Sequence, residues 1–201
     1  MIQASAVILA GGKGRRMGQA KATLMFGGQT LLERLAAELA KAFSDLVVVG
    51  PPESTGILAA APLGTTLLRD ELPFRGMLPA LASGLAAARE EVVLAVGCDL
   101  ALLRSEVARA LCDALGDFDA LLPEVGGHLQ PLAAVYRRKP ALAAFRKLLE
   151  LGEYRMGRVA LFLETRILCE DEIRPFDPAL LSFLNLNTPE DYREALRLAG
   201  F

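Results

Sequence analysis

The sequence has a single histidine and three cysteines in 201 residues. His128 alone cannot supply a multi-histidine zinc site, and a histidine-dependent triad would have to be built from that one side chain. Cys98, Cys112 and Cys169 are odd in number, widely spaced and without a Cys-x-x-Cys pair, which argues against both a disulfide framework and a cysteine-ligated zinc. Reduced thiols are the plain reading. No run reaches the roughly 20 apolar residues of a bilayer-spanning helix. The first residues, Met1-Ile2-Gln3-Ala4-Ser5, lack a basic n-region, and their apolar run stops at Gly11, too short for a signal h-region and cleavage site. A cytoplasmic protein with no membrane partner is therefore expected. Positive charge is not in excess either: the formal net charge is −2, so the surface as a whole has no attraction for nucleic acid, and any phosphate-binding charge must be local. Repeats, low-complexity segments and linker-like stretches are also missing.

What is present is apolar and regularly punctuated. Hydrophobic residues make up 53% and charged residues 23%, a composition that suits a buried parallel sheet. The length fits one domain over 1–201. Ala6-Val7-Ile8-Leu9 reads as a buried strand feeding a glycine turn. Leu31, Leu32, Leu35, Ala36, Leu39 and Phe43 recur at helical spacing behind a Thr30-Leu31-Leu32-Glu33 capping box. Strands then follow at 46–49, 66–68 and 92–96, alternating with helices at 77–88 and 105–115, the rhythm of an α/β fold with a parallel sheet. Beyond residue 117 the pattern predicts strands at 120–122 and 132–136, helices at 140–151 and near 158–163, and a strand at 183–186. Thr188-Pro189-Glu190-Asp191 has the capping residue, first-turn proline and acid of a helix start.

The segment Leu9-Ala10-Gly11-Gly12-Lys13-Gly14-Arg15-Arg16-Met17-Gly18-Gln19-Ala20-Lys21 packs four glycines and four cations into thirteen residues after a buried strand. Glycines let backbone N–H groups approach phosphate oxygens, and Arg and Lys neutralise a departing pyrophosphate. It is neither a P-loop, because Gln19-Ala20 follows Gly18, nor a G-x-G-x-x-G, because Met17 stands where the last glycine would fall. The plainer alternative is a βα turn with solvated basic residues.

Leu9-Ala10-Gly11-Gly12-x-x-x-Arg16-Met17-Gly18-x-x-Lys21 resembles the signature of the sugar-nucleotide pyrophosphorylase superfamily, and in particular of the molybdenum cofactor guanylyltransferase family. Arg69-Asp70, Gly76-Met77-Leu78, Gly97-Cys98-Asp99, Gln130-Pro131-Leu132 and Asn185-Leu186-Asn187-Thr188-Pro189-Glu190-Asp191 follow in that family's order, so the resemblance covers nearly the whole chain. Ala20 stands where such loops commonly carry Asp, Met77 where they have Pro, and Leu100-Ala101 replaces the usual x-Pro. The resemblance implies a Rossmann-like three-layer α/β/α domain with a mainly parallel sheet, similar to nucleotide-diphospho-sugar transferases, with a nucleotide half at about 1–100 and an acceptor half at about 101–201. It implies transfer of GMP from Mg-GTP to the terminal phosphate of molybdopterin, with Mg²⁺ as cofactor and transient contact with cofactor-biosynthesis or acceptor proteins. Cytidylyl transfer, a sugar- or polyol-phosphate acceptor, and a degenerate nucleotide-binding paralogue remain open as alternatives.

Asp99 follows the run 92–98, so its carboxylate should emerge at the carboxyl end of a central strand, where open α/β sheets bind ligands; one hard carboxylate suits Mg²⁺. Capping the next helix is the plainer role. By resemblance Asp99 holds the metal, Arg16, Lys21 and Asp99 are catalytic, and Leu9, Ala10, Gly11, Gly12, Lys21, Asp70 and Asp99 bind the nucleotide. Asp70 could instead pair with Arg69 or Arg75. Asn185 and Asn187, two apart on an expected strand, should face one side, and with Gln130 they are the candidate acceptor contacts. His128 reads as a loop residue that could line the acceptor pocket. Arg137-Arg138-Lys139 reads as a solvated strand end, with an anionic pterin phosphate as the other option.

Overall fold

Ile2–Leu9 forms β1, buried from Ala4 onward on both faces, as a central strand of a parallel sheet must be. The structure, a computed structural model, describes residues 2–11, 20–50, 61, 64–70 and 76–201. Within them β1 is followed by a hairpin of β2 (Met25–Phe26) and β3 (Gln29–Thr30), then α1 (Leu31–Leu39), β4 (Phe43–Gly50) and β5 (Thr66–Arg69). After these come α2 (Met77–Ala87), β6 (Val92–Gly97), α3 (Ser105–Asp113), β7 (Ala120–Val125), β8 (His128–Leu129) and β9 (Ala133–Arg137). The order closes with α4 (Arg138–Glu150), β10 (Thr165–Leu168), α5 (Glu170–Ile173) and α6 (Pro189–Leu198).

The main sheet runs β10-β7-β9-β6-β1-β4-β5, with β8 paired to β7. β1 is parallel to β4 and β6, β4 to β5, and β7 to β10. Only β9 is reversed along this path, antiparallel to both β6 and β7. Period-two alternation sends Ala6, Ile8, Leu94 and Val96 into one core with α1 and α3. Val7, Leu9, Val93 and Ala95 enter another core with α2 and α4. The result is the expected three-layer α/β/α architecture.

On the second face α2 lies very close to the sheet. A Cβ on Gly84 would stand 2.4 Å from Val7 Cγ1 and 3.3 Å from Val49 Cγ2. Gly84→Ala is therefore expected to lower stability by about 1–3 kcal/mol through overpacking. The urea midpoint should fall with an unchanged slope; an unmoved midpoint would mean that α2 can lift off the sheet without cost.

The capping box read from the sequence at Thr30 is formed, and the helix start read at Thr188 proves to be a second one. Thr30 accepts from the Glu33 N–H while Glu33 accepts from the Thr30 N–H, and Thr188 and Asp191 do the same at α6. Several expectations are corrected. Phe43 shares the apolar spacing of α1 but begins β4, because the helix ends at Leu39 and the chain turns there. The stretch near 158–163 is a 3₁₀ helix, Met156–Leu161. The expected strand at 183–186 does not exist: a 3₁₀ turn at Leu181–Phe183 leads into irregular backbone whose Leu186 N–H donates to the Asp99 carbonyl at 3.2 Å. The sequence reading also lacked the β2–β3 hairpin, β10 and α5, each four residues or shorter per element.

Candidate active site

All four strands β1, β4, β5 and β6 point their carboxyl ends to one edge of the sheet. There the Ala10 N–H donates to the Val49 carbonyl at 2.8 Å, and the Cys98 N–H to the Leu9 carbonyl at 3.1 Å. These bonds extend the sheet ladders past the strand ends and fix the start of the glycine loop beside Asp99. Gly11 is described and exposed, whereas Gly12 and Arg16 lie outside the described residues.

Asp99 sits directly beyond β6 in a turn closed by the Leu100 N–H to the Gly97 carbonyl at 3.2 Å. Its carboxylate folds back over the chain, so that Oδ1 lies 2.5 Å from where a Cβ on Gly97 would be. A side chain there would have to push the carboxylate aside. Leu100 and Ala101, in place of the x-Pro of the resembled pattern, are both buried. The Arg34 Nε donates to the Ala101 carbonyl at 2.9 Å, so a side chain from α1 holds the turn that a proline would otherwise stiffen.

Lys21 opens a 3₁₀ turn, Lys21–Thr23, anchored by the fully buried Ala22. The Ala20 carbonyl accepts from the Thr23 N–H at 3.1 Å and the Thr23 hydroxyl at 3.0 Å. The loop thus closes through the Ala20 backbone, without the side-chain cap an Asp would offer. From this turn the Lys21 Nζ reaches Asp99 Oδ2 at 2.8 Å and Asn187 Oδ1 at 2.8 Å. The Lys21 and Asp99 side chains are only 16% and 20% exposed, so the pair is partly withdrawn from water and less screened than a surface ion pair. Two hard oxygen donors from distant parts of the chain therefore converge on one cation.

A third, smaller core holds this convergence in place. Leu24, Phe26, Leu31, Ala101, Leu186 and Ala195 pack together between the hairpin, the turn after Asp99 and α6. Phe26 meets Tyr192 and Phe201 edge to face, with ring centroids 6.1 and 5.8 Å apart, and the Tyr192 hydroxyl donates to the Met25 carbonyl. Fully burying a Leu such as Leu186 contributes about 1.5–3 kcal/mol, so the exposed Asn187 is tethered by a buried neighbour.

The other candidates separate. Asn185 turns away from Lys21: its Nδ2 donates to Gln130 Oε1 at 3.4 Å and to the Phe183 carbonyl at 3.2 Å. The two asparagines thus serve different neighbours rather than one strand face. Gln130 lies on the same sheet edge as Asp99, because the next-but-one residue, Leu132, accepts from the Gly97 N–H at 3.0 Å. His128 is exposed on β8, and its carbonyl accepts from Gln130 Nε2 at 3.3 Å. Asp70 is buried at the end of β5, its N–H bonded to the Gly50 carbonyl at 2.6 Å, and it lines a separate cleft with Pro79, Ser83 and Arg146. The Arg137-Arg138-Lys139 option for a pterin phosphate is overturned. Because β9 is reversed, Arg137 pairs with Val92 at the amino end of β6, the edge opposite Asp99, and its guanidinium donates to the Gly116 carbonyl.

Cys98, adjacent to Asp99, is not a nucleophile: burial pushes its thiol up to about 12, and the Asp99 charge adds to the shift. No group of three His, Cys, Asp or Glu side chains that could cage a metal occurs among the described residues. A hard divalent cation that keeps its waters and leans on substrate phosphates needs only one or two protein oxygens, and Asp99 with Asn187 fits that requirement.

Gly11, Lys21 and Asp99 lie at the carboxyl edge of a mainly parallel α/β sheet, and the class to which comparison with known proteins assigns the chain is that of the nucleotidyltransferases. The MobA-like NTP transferase domain profile matches residues 6–163, and the chain belongs to that family. It is 32% identical to a probable molybdenum cofactor guanylyltransferase of Pelotomaculum thermopropionicum, over 99% of this chain and 95% of that one. It is also 32% identical to the molybdenum cofactor guanylyltransferase of Desulfosudis oleivorans, over 94% and 92%. Among solved structures, molybdopterin-guanine dinucleotide biosynthesis protein A of Archaeoglobus fulgidus superposes with a TM-score of 0.83 over 98% of both chains at 23% identity. The 2-C-methyl-D-erythritol 4-phosphate cytidylyltransferase of Thermus thermophilus gives 0.72 over 98% of both at 20%. At such identities these two likenesses speak for the fold alone. No helix among the described residues is long and apolar enough to cross a membrane.

Proposed function

We propose that this chain transfers GMP from GTP to the terminal phosphate of molybdopterin, releasing pyrophosphate and forming molybdopterin guanine dinucleotide. The convergence of Asp99 and Asn187 on the Lys21 ammonium carries the chemistry. The substrates follow from relatives named molybdenum cofactor guanylyltransferase at 32% identity over more than nine tenths of the chain. The whole of 1–201 acts as one domain, its first half taking the nucleotide and its second half the acceptor. It works in the cytoplasm and hands its product on through transient protein contacts.

An oxygen of the acceptor phosphate forms a bond to the α-phosphorus of GTP as the bond to the pyrophosphate leaving group breaks. The nucleophile is already anionic, so little proton transfer is needed, and catalysis rests on positioning and charge neutralisation. Lys21 moves its ammonium from the two protein oxygens to the phosphates and stabilises the departing charge, with Arg16 and the N–H groups of Gly11 and Gly12 assisting. Asp99, with Asn187 beside it, would hold Mg²⁺, which would supply charge neutralisation for the transferring phosphate. Leu9 and Ala10 present backbone to the nucleotide, Asp70 contacts it from the end of β5, and Gln130 and Asn185 orient the acceptor.

Calorimetric titration with GTP, CTP, ATP and UTP in Mg²⁺, on wild type and Asp99→Ala, tests the reading. Selective GTP binding that weakens in the variant is expected. A preference for CTP would replace guanylyl by cytidylyl transfer, and the absence of binding by every nucleotide would leave a degenerate paralogue.

A further inference from the structure

We infer that Asp191 is a positioning residue of the phosphate site, acting through Asn187 as well as capping α6. Its Oδ2 accepts the Thr188 N–H at 2.8 Å, which is the ordinary half of a capping box. The same oxygen also accepts the Asn187 N–H at 3.0 Å, one residue before the cap, and a helix cap has no use for that second bond. Asn187 needs it. Its side chain is exposed and stands in irregular backbone, so packing does not hold it, yet its Oδ1 must meet Lys21 Nζ at 2.8 Å. Three ties fix it: the buried Leu186 before it, the Asp191 carboxylate that accepts its N–H at 3.0 Å, and the Asn185 carbonyl that shares the same N–H at 3.1 Å. Burial pushes the Asp191 carboxyl up, but the N–H groups of Asn187 and Thr188 and the charge of Lys21 outweigh this and hold it below its usual range.

This assignment rests on the proposed phosphate chemistry but on neither the base nor the acceptor, so magnesium pyrophosphate is the probe. Its binding is measured by calorimetry for wild type, Asp191→Ala, Asn187→Ala, the double variant and Thr188→Ala. Outer positioning partners cost tenfold or more when removed, so Asp191→Ala and Asn187→Ala should each weaken binding by about tenfold. The double variant should bind no more weakly than Asn187→Ala alone, because Asp191 acts only through that residue. Thr188→Ala removes the other half of the cap; it should lower the melting temperature as Asp191→Ala does and leave binding unchanged. Should Asp191→Ala fail to fold, Asp191→Asn carries the same cycle: its uncharged oxygen holds the amides about half as strongly, and binding should weaken only while Asn187 is present. Equal losses in Thr188→Ala and Asp191→Ala, additive losses in the double variant, or no binding of magnesium pyrophosphate by wild type would each overturn the assignment. Tight, cycle-coupled pyrophosphate binding without guanylyl transfer would instead sink the substrate reading and leave Asp191 in its role.

Discussion

Lys21→Ala should lower the turnover of guanylyl transfer by about 10²–10³-fold, the usual loss when one preorganised donor to a developing charge is removed. The same substitution should cost only about 1–3 kcal/mol of stability. Its ion pair with Asp99 is partly withdrawn from water, and its loss leaves a half-buried carboxylate short of one partner. The separation of the two effects is what makes the test sharp. Lys21 lies at the head of a turn whose fold depends on buried Ala22 and on backbone bonds to Ala20, so the loop keeps its shape without the ammonium. Lys21→Arg should recover only part of the activity, because a planar guanidinium cannot occupy the compact position where Asp99 Oδ2 and Asn187 Oδ1 meet. Steady-state turnover beside a urea melt decides it: full activity in Lys21→Ala would remove the lysine from the mechanism.

The second large effect comes from a residue that touches neither substrate nor solvent. Gly97→Ala places a methyl group 2.5 Å from Asp99 Oδ1, with Leu132 Cδ1 a further contact at 3.7 Å. The Cβ has nowhere to go, since Gly97 ends a buried central strand, so the carboxylate must swing off its position. An activity loss of about 10²-fold is expected, since a displacement near 1 Å at a reacting centre has that consequence. The stability cost should stay within about 1–3 kcal/mol, the range of a single overpacked methyl. A rise in the magnesium concentration needed for half-maximal activity would mark the displaced carboxylate as the cause. Wild-type activity and metal dependence in Gly97→Ala would show that Asp99 can work from more than one position.

Much of this site is legible in the chain itself. The strand before the glycine loop, Lys21 behind it, and Asp99 after 92–98 could be placed because periodicity and glycine positions report where a strand ends, and the sheet's parallel sense then puts those ends on one edge. Asn187 could be named as a candidate but not paired. The expected strand at 183–186 assigned both asparagines to one face, whereas irregular backbone sends Asn187 to Lys21 and Asn185 to Gln130. Gly97 could be named as part of the Gly97-Cys98-Asp99 element, but not why glycine stands there, because the carboxylate that a side chain would meet belongs to a neighbour's rotamer. The hairpin did leave a trace in Gly27-Gly28, both at positive φ, a two-residue turn pattern too brief to stand out against the flanking loop.

The amino-acid sequence by itself determined the α/β class, the capping box at Thr30 and the helix start at Thr188, because these depend on spacing along the chain and on local hydrogen bonding, whereas the candidate phosphate-directed residues were named through family resemblance. The direction of β9 was decided only in three dimensions, and with it the removal of Arg137-Arg138-Lys139 from the site, since antiparallel pairing carries that basic run to the far edge. So was the meeting of Lys21, Asp99 and Asn187, which come together because Phe26, Ala101 and Leu186 bury themselves in one small core. Such contacts are set by shape and burial among remote segments, for which residue spacing holds no record.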